Sequence, residues 1–237
     1  MRVSVVIPAR NEEAAIGRVI ADIPRELVGE VIVVDGGSTD RTREVAAEHG
    51  ARVIREPRRG YGRACLTGLG HIDDAADVVV FLDGDYSDRP VELPRLLAPI
   101  AAGRADLVLG SRLSGTRARG ALPWHSVVGN RVAAVLIRFL SGVRLTDLGP
   151  FRAARPSMLR ALTLQEQTYG WPIEMLIKGA ARGYRIVEVP VSYHPRIGTS
   201  KITGTVRGSL GAAWCIFSGI IKYRLKELRV RSAADMP

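Results

Sequence analysis

The sequence predicts an α/β protein built on a mostly parallel sheet with helices on both faces. The chain has 237 residues, of which 46% are hydrophobic and 24% charged. This composition suits one large domain and is too apolar for a disordered chain. Short apolar runs alternate with amphipathic stretches through the first half. The run at residues 78–82 is unbroken, which is typical of a strand buried on both faces of a parallel sheet.

The elements of the first half follow in order from these patterns. Strands are predicted at residues 2–8, 30–35, 51–54, 78–82 and 106–109. Helices are predicted between them, at residues 12–23, from a cap at Ser38 or Thr39 to about residue 49, and at 62–72 and 90–102. This βαβα order predicts parallel strands.

The second half has longer elements. Helices are predicted at residues 127–140 and 171–182, and a strand at 184–193, followed by a loop. An uncharged run at residues 208–221 predicts a helix too short for a hydrocarbon core of about 30 Å. We therefore expect residues 1–204 to form one domain that is large enough to be an enzyme. Residues 205–237 are expected to form an apolar and basic C-terminal helix and tail that associates with a membrane.

The net charge and the cysteine content limit which partners and which cellular compartment the sequence predicts. The formal net charge is +10, which favours nucleotide phosphates, nucleic acid or an anionic membrane surface as partners. Cys65 and Cys215 show no metal-ligand or disulfide spacing, and the N-terminus shows no signal-peptide pattern. A cytoplasmic protein is therefore expected. Aromatic content of 5% and the lack of a nucleic-acid motif argue against a nucleic-acid-binding module.

Polar residues follow several predicted strands. Asn11-Glu12, Asp35 and the pair Asp83 and Asp85 each lie just beyond a strand end. Because the carboxyl ends of parallel strands meet at one edge of the sheet, these side chains are expected to converge in one crevice.

The segment Asp83-Gly84-Asp85 has the pattern of a metal site. Gly84 allows a tight turn, so both carboxylates can reach one ion. Mg²⁺ and Mn²⁺ prefer carboxylate and phosphate oxygens, so such a site would hold a diphosphate. The alternative is a solvated acidic turn.

Basic residues recur in the predicted loops. Together they could hold phosphate oxygens, which arginine binds with two nitrogens, and the alternative for each is a solvated charge. These residues are Arg112, Arg131, Arg196 and Lys201. The glycines around Tyr61 do not form G-x-G-x-x-G, and there is no Walker A sequence.

Six motifs occur together in a recognisable order. They are VVIPARNEE, VVDGGSTD, FLDGDYSDRP, LVLGSR, LGPFRAARPSML and YRIVEVPVSYHPRIGTSKI, which span residues 3–201. Through them the chain resembles family 2 glycosyltransferases of the GT-A (Rossmann-like) fold. The most similar branch is the dolichyl-phosphate mannosyltransferase-like enzymes, the polyprenyl-phosphate sugar synthases.

The resemblance implies roles for particular residues. Pro8, Arg10 and Glu12 would frame the base and ribose of a GDP- or UDP-sugar, and Asp35 would contact the nucleoside. Asp83, Gly84 and Asp85 would bind Mg²⁺ or Mn²⁺ and the diphosphate. The basic residues named above would face phosphates of the donor or acceptor. The chain departs from the mannosyltransferase pattern at Arg10, Gly36 and Ser87, which leaves the base and sugar open.

The implied reaction is inverting sugar transfer to a lipid phosphate, a polyprenyl phosphate at the inner face of the membrane. An anionic phosphate needs no strong base to act as nucleophile. A hydroxyl acceptor would need one, and Glu174 is then the candidate, its alternative being a helix-surface acid. A soluble phosphorylated metabolite such as a phosphoglycerate, or a saccharide or protein hydroxyl, remains an alternative acceptor. Basic residues of the tail would support peripheral membrane contact.

Overall fold

The structure, a computed structural model, describes residues 1–198 and Tyr223. A seven-stranded sheet forms the centre of this part of the chain, in the order β3-β2-β1-β4-β6-β5-β7. The strands are β1 (Val3–Ala9), β2 (Glu30–Asp35), β3 (Arg52–Arg55), β4 (Val78–Phe81), β5 (Leu107–Ser111), β6 (Arg152–Ala154) and β7 (Ile186–Pro190). The predicted helix at 208–221, the tail and the domain boundary at residue 204 lie outside the described residues.

Helices cover both faces of the sheet. They are α1 (Glu13–Ala21), α2 (Thr42–Glu48), α3 (Tyr61–Leu69), α4 (Leu93–Ala101), α5 (Trp124–Ser141), α6 (Pro156–Leu162) and α7 (Trp171–Ala181), with a 3₁₀ turn at Pro90–Glu92 before α4. Side chains of α1, α2 and α4 pack in one apolar core, and those of α3, α5, α6 and α7 in a second core on the opposite face. The predicted three-layer α/β architecture is confirmed.

The sheet is parallel except at β6, which pairs antiparallel with both β4 and β5. The sequence did not predict this strand or α6, because β6 has three residues and begins with a charged one. That residue, Arg152, is buried, and its guanidinium donates to the carbonyl oxygens of Leu148, Gly149 and Pro172. A charge satisfied by backbone carbonyls therefore lies in the middle of the sheet.

The predicted cap of α2 is wrong. Asp40 accepts a hydrogen bond from the backbone N–H of Thr42 at 3.1 Å. Ser38 and Thr39 bind Asn11 instead: the Asn11 N–H donates to Ser38 Oγ at 2.9 Å, and the Thr39 N–H donates to Asn11 Oδ1 at 2.9 Å. These bonds fasten the loop after β1 to the loop after β2.

The strand order of the sheet reverses at β1. The chain adds β2 on one side of β1 and later β4 on the other. The loops after β1 and β4 therefore separate at their carboxyl ends and leave a crevice, which is where open α/β sheets bind ligands. Across residues 1–198 and Tyr223, no helix combines the length and apolar content needed to cross a membrane.

Candidate active site

A cleft of about 430 Å³ lies at the carboxyl ends of β1 and β4. Its walls come from the loops after β1 and β4, the start of α3, the segment before α7 and the loop after β7. The lining residues are Pro8, Ala9, Arg10, Glu12, Gly36, Arg59, Gly60, Tyr61, Ala64, Asp83, Gly84, Asp85, Thr168, Tyr169 and Arg196. The predicted convergence of Glu12 with Asp83 and Asp85 is thus observed.

The two aspartates after β4 have different surroundings. Oδ1 of Asp85 accepts hydrogen bonds from the backbone N–H of Ser87 at 2.9 Å and from its hydroxyl at 2.6 Å. No donor within the described part of the chain hydrogen-bonds to the Asp83 carboxylate. Burial, and then the charge of Asp85, raise the pKa of Asp83 from 3.8 to about 7. The pair is therefore a site of unfavourable negative charge that a cation would stabilise.

The chemistry of this pair fits Mg²⁺ or Mn²⁺. Both ions take carboxylate oxygens and keep several positions for water or phosphate oxygens. Within residues 1–198 and Tyr223 there is no cluster of three or more histidine, cysteine, aspartate or glutamate side chains that could hold a metal by itself. Two protein carboxylates would thus leave most positions to a ligand's diphosphate.

Gly84 lies against β1 and α1. A Cβ on this residue would lie 3.4 Å from Ala9 Cβ and 3.4 Å from Ile16 Cδ1. Such contacts are at the tight end of the ordinary range, so the two carboxylates lie on a loop that packs closely over β1 and α1.

Asp88 lies in the same loop after β4, and no role was predicted for it from the sequence. It is buried, and neither carboxylate oxygen has a hydrogen-bond partner within the described residues. Burial raises its pKa well above 3.8. Asp88 does not line the cleft, whereas Asp83, Asp85 and Glu12 do.

Arg196 crosses the cleft between two acidic residues. Its Nη2 lies 3.2 Å from Glu12 Oε1, and its Nη1 lies 3.4 Å from Asp85 Oδ2. The backbone N–H of Ile197 donates to the carbonyl oxygen of Asp85 at 2.9 Å, which fixes this segment to the loop after β4. The Nε atoms of Arg196 and Arg10 are buried without a hydrogen-bond partner in the described chain. These donors suit an anionic ligand.

The start of α3 and the segment before α7 form one wall of the cleft, and neither was predicted from the sequence to be part of the site. Gly60 has a φ of 142°, and a Cβ there would lie 2.2 Å from the carbonyl oxygen of Gln167. The Arg63 N–H donates to that same oxygen at 3.0 Å. The rings of Tyr61 and Tyr169 stack with centroids 6.2 Å apart. The signal in the sequence was the Gly-Tyr-Gly at a helix start, which packs against the segment before α7.

Seven of the twelve residues predicted from the sequence line the cleft: Pro8, Arg10, Glu12, Asp83, Gly84, Asp85 and Arg196. Asp35 does not. It is buried, accepts a hydrogen bond from the Ser38 N–H at 3.0 Å and lies 3.5 Å from Arg43 Nη1. The neighbouring residue, Gly36, lines the cleft in its place. In this structure Asp35 holds the turn after β2.

Arg112 and Arg131 also differ from their predicted positions. Arg112 is buried, and its Nε and Nη2 donate to Asp147 at 2.7 and 2.8 Å, so the two nitrogens expected to bind a phosphate are engaged. Arg131 was expected at a helix start, but it lies in the middle of α5, exposed to solvent and away from the cleft. Lys201 lies outside the described residues.

Glu174 is not positioned as a general base, which corrects that prediction. The side chain is 1% exposed and pairs with Lys178 Nζ at 2.7 Å. Its Oε2 also accepts hydrogen bonds from the backbone N–H groups of Gln165 and Glu166, at 2.9 and 2.7 Å. These contacts make Glu174 a structural residue that holds the segment leading to Thr168 and Tyr169.

The sequence matches the family described as "Glycosyl transferase family 2" over residues 4–163. The chain belongs to this family. It is 38% identical over 228 residues to a dolichyl-phosphate hexose transferase of Haloferax volcanii, covering 94% of each chain. It is 33% identical over 222 residues to a polyprenol monophosphomannose synthase of Mycolicibacterium smegmatis, covering 86% of this chain and 82% of that one. The predicted family, its polyprenyl-phosphate sugar synthase branch and the enzyme class are confirmed.

A solved structure supports the fold of this glycosyltransferase. The chain aligns with glucosyl-3-phosphoglycerate synthase from Mycobacterium tuberculosis with a TM-score of 0.74 and 28% identity, covering 94% of this chain and 79% of that one. That protein was crystallised with Mn²⁺, UDP and glucosyl-3-phosphoglycerate. The predicted GT-A fold is confirmed.

Proposed function

We propose that this glycosyltransferase moves a sugar from a nucleotide diphosphate donor to a polyprenyl phosphate, with inversion at the anomeric carbon. One observation carries the proposal most directly. Asp83, Asp85 and Arg196 meet at one point of the cleft, where a metal-bound diphosphate and a second phosphate would both find partners. The names of the relatives in the polyprenyl-phosphate branch support a lipid phosphate as acceptor.

The donor lies along the edge of β1 in this proposal. Pro8 and Arg10 frame the base and ribose, together with Glu12 at the start of α1. Asp83 and Asp85 hold Mg²⁺ or Mn²⁺, and Gly84 lets the diphosphate approach the backbone. The bound ion would supply charge neutralisation of the leaving diphosphate. Divalent ions and UDP in the structures of a neighbour support this assignment.

Arg196 and Arg10 provide positive charge from the protein itself. The Nε atoms of both side chains are buried without a hydrogen-bond partner in the described chain, and a small shift of either side chain would bring them to phosphate oxygens. Charge develops on the diphosphate as the glycosidic bond breaks, and fixed donors that face this charge lower the barrier. The cleft walls also align the acceptor oxygen behind the anomeric carbon, which converts a two-body encounter into an oriented one.

The carboxylates of the cleft favour an acceptor that is already ionised. Asp83 and Asp85 are assigned to the metal, and Glu12 pairs with Arg196. Glu174 is held by Lys178 and backbone donors. No carboxylate lining the described cleft is therefore left over to deprotonate a hydroxyl. A phosphate monoester needs no such base, since its oxygen is anionic near neutral pH.

A soluble phosphorylated acceptor is the second candidate. One specific observation favours it: the similarity to glucosyl-3-phosphoglycerate synthase, whose structures contain phosphoglyceric acid. The names of the relatives in the polyprenyl-phosphate branch favour a lipid phosphate as acceptor instead. With a lipid acceptor, the enzyme would work as a peripheral protein at the inner face of the membrane.

Radiolabelled donors test the proposal. The enzyme is incubated with a panel of labelled UDP- and GDP-sugars and Mn²⁺, with and without a short-chain polyprenyl phosphate. Label in the organic phase that mild acid releases would support the proposal, because a sugar bound to a phosphate through its anomeric carbon is acid-labile. Label transferred only to water-soluble products, with or without the polyprenyl phosphate, would support the second candidate.

A further inference from the structure

The hydroxyl of Tyr223 contacts the segment that forms one wall of the cleft. Tyr223 is 4% exposed, and its side chain packs in the apolar core that α3, α5, α6 and α7 share. Its hydroxyl donates a hydrogen bond to Oε2 of Glu166 at 2.5 Å, and the two residues are 57 positions apart in the sequence. The contact therefore joins the C-terminal part of the chain to the segment before α7.

Glu166 holds the turn that carries two residues of the cleft. Oε1 of its carboxylate accepts hydrogen bonds from the Thr168 N–H at 3.2 Å and from the Thr168 hydroxyl at 2.7 Å. Thr168 and the next residue, Tyr169, line the cleft. One oxygen of the carboxylate thus binds a cleft residue, and the other binds Tyr223. A single side chain separates the Tyr223 hydroxyl from the cleft wall.

The turn around Glu166 is packed at close range. A Cβ on Gly62 would lie 2.4 Å from the carbonyl oxygen of Glu166, and a Cβ on Gly170 would lie 3.0 Å from Glu166 Cγ. The Gly62 N–H also donates to the carbonyl oxygen of Thr168 at 3.2 Å. Because protein interiors packed this closely transmit strain, a shift of the Glu166 side chain would displace Thr168 as well.

We propose that Tyr223 is a positioning residue for sugar transfer, which acts on Thr168 through the carboxylate of Glu166. The Tyr223 hydroxyl fixes the orientation of the carboxylate, and the carboxylate fixes the Thr168 side chain at the cleft. A displacement of about 1 Å in a wall that orients substrates can lower a rate about a hundredfold. The inference rests on the proposed function of this cleft as the place of sugar transfer, but not on which acceptor receives the sugar.

The simpler role of the Tyr223 hydroxyl is to give a buried polar group a partner. A buried hydroxyl needs a hydrogen bond whatever the function of the protein, and Glu166 supplies one. Burial, and then this hydrogen bond, raise the pKa of Tyr223, so the hydroxyl stays a donor at neutral pH. In the simpler role the hydroxyl affects the free energy of unfolding but not the rate of transfer. The two roles therefore differ in a measurable quantity.

Tyr223→Phe tests the inference, because it removes the hydroxyl and keeps the ring in the core. The full chain is assayed with the acceptor that the wild type uses, polyprenyl phosphate or 3-phosphoglycerate, well below the unfolding midpoint of each variant. We expect kcat to fall at least about fivefold. The affinity for UDP with Mn²⁺ should stay within about twofold, since the residues assigned to the nucleotide and the metal follow β1 and β4.

Tyr184→Phe is the matched control. Tyr184 packs against the same apolar core as Tyr223 and does not line the cleft. The same atom is removed from the same core, so any general effect of losing a tyrosine hydroxyl there appears in both variants. We expect kcat of Tyr184→Phe to stay within about twofold of the wild-type value.

A double-mutant cycle shows whether Tyr223 acts on Thr168. In Thr168→Val the carboxylate of Glu166 no longer holds the side-chain hydroxyl, so adding Tyr223→Phe should lower kcat by less than about twofold further. Equal factors in the two backgrounds would overturn the proposal, as would wild-type kcat in Tyr223→Phe. A lower unfolding midpoint of Tyr223→Phe with unchanged kcat would assign the hydroxyl to stability alone.

The proposed acceptor and the role of Tyr223 fail separately in these assays. A wild-type enzyme that transfers sugar only to 3-phosphoglycerate would overturn the polyprenyl acceptor, and the effect of Tyr223→Phe is then measured with 3-phosphoglycerate. Wild-type transfer to polyprenyl phosphate that is unchanged in Tyr223→Phe would overturn only the positioning role.

Discussion

Arg196 Nη1 lies 3.4 Å from Asp85 Oδ2, the carboxylate oxygen that does not bind Ser87. The guanidinium thus neutralises part of the charge that a divalent ion would otherwise balance. A bound diphosphate would offer the same nitrogen another anionic partner, and the Asp85 carboxylate would then be open to a divalent ion. We therefore expect the guanidinium of Arg196 to pair with Asp85 in the free enzyme and with a substrate phosphate in the complex.

Replacing Arg196 with glutamine should weaken the transition state more than the fold. A hydrogen bond to a charged group contributes about 1.5–3 kcal/mol, so kcat/KM should fall roughly ten- to hundredfold. Steady-state kinetics over a range of donor concentrations measures this effect. Arg104→Gln changes an exposed arginine between α4 and β5 and should leave kcat/KM unchanged. An Arg196→Gln enzyme with wild-type kinetics would contradict the assignment.

Asp85→Asn should abolish turnover and leave the fold intact. The amide oxygen can still accept the bonds from Ser87, and the loss of one charge relieves the repulsion between Asp85 and Asp83. The thermal midpoint should therefore stay the same or rise, while kcat/KM falls by at least about a hundredfold. Calorimetry of UDP binding with and without Mn²⁺ should show metal-dependent affinity in the wild type only. Full activity of this variant in excess chelator would exclude the metal site.

Glu174→Gln should reduce stability and not the chemical step. The change leaves the buried Lys178 ammonium without its carboxylate, and removal of one member of a buried pair costs about 3–5 kcal/mol. Urea unfolding measures the loss. The double variant Glu174→Gln, Lys178→Met should recover part of it, because the uncompensated charge is gone. A stable Glu174→Gln enzyme whose kcat has nonetheless collapsed would restore Glu174 as a base.

Glu56 gives the protein an acid-sensitive contact. Its hydrogen bonds with Arg58, at 2.8 and 2.9 Å, lower the pKa of this carboxyl from 4.5 to about 2. Because the folded-state pKa is below the ordinary value, the contribution to stability is complete above about pH 4.5 and is lost as pH falls towards 2. Urea midpoints should decline between these pH values less steeply in Glu56→Gln than in the wild type. Parallel curves would show that the contact is irrelevant to acid stability.

The part of the site at strand ends was predictable because two local rules fix it. Predominantly apolar runs identify β1 and β4, and the carboxyl ends of parallel strands share one edge of the sheet. The residues next in sequence, Glu12 and Asp83 to Asp85, were therefore expected to converge, and they do. Asp35 was expected there by the same rule but binds Ser38 and Arg43 instead. The parallel half of the sheet followed from the same patterns.

The remaining walls depend on contacts between distant segments, which periodicity does not encode. Gly60 and Arg63 contact Gln167, more than a hundred residues away in the sequence. The buried pair of Arg112 with Asp147 removes an apparent site residue from the cleft. Glu174 is removed by Lys178, one turn along α7, and by the backbone N–H groups of Gln165 and Glu166. From the sequence alone, a charged side chain is easily mistaken for a ligand-binding residue when its real partner is distant in the sequence or is a backbone group. The same reason concealed β6, which begins with the buried Arg152.

A competition between the two acceptors tests the central claim most directly. The enzyme receives one labelled donor, Mn²⁺ and equal concentrations of a short-chain polyprenyl phosphate and 3-phosphoglycerate in a single reaction. The account predicts that label accumulates in the organic phase as an acid-labile product, and that Asp85→Asn abolishes this transfer. Label that accumulates in the aqueous phase on phosphoglycerate, with none in the organic phase, would contradict it.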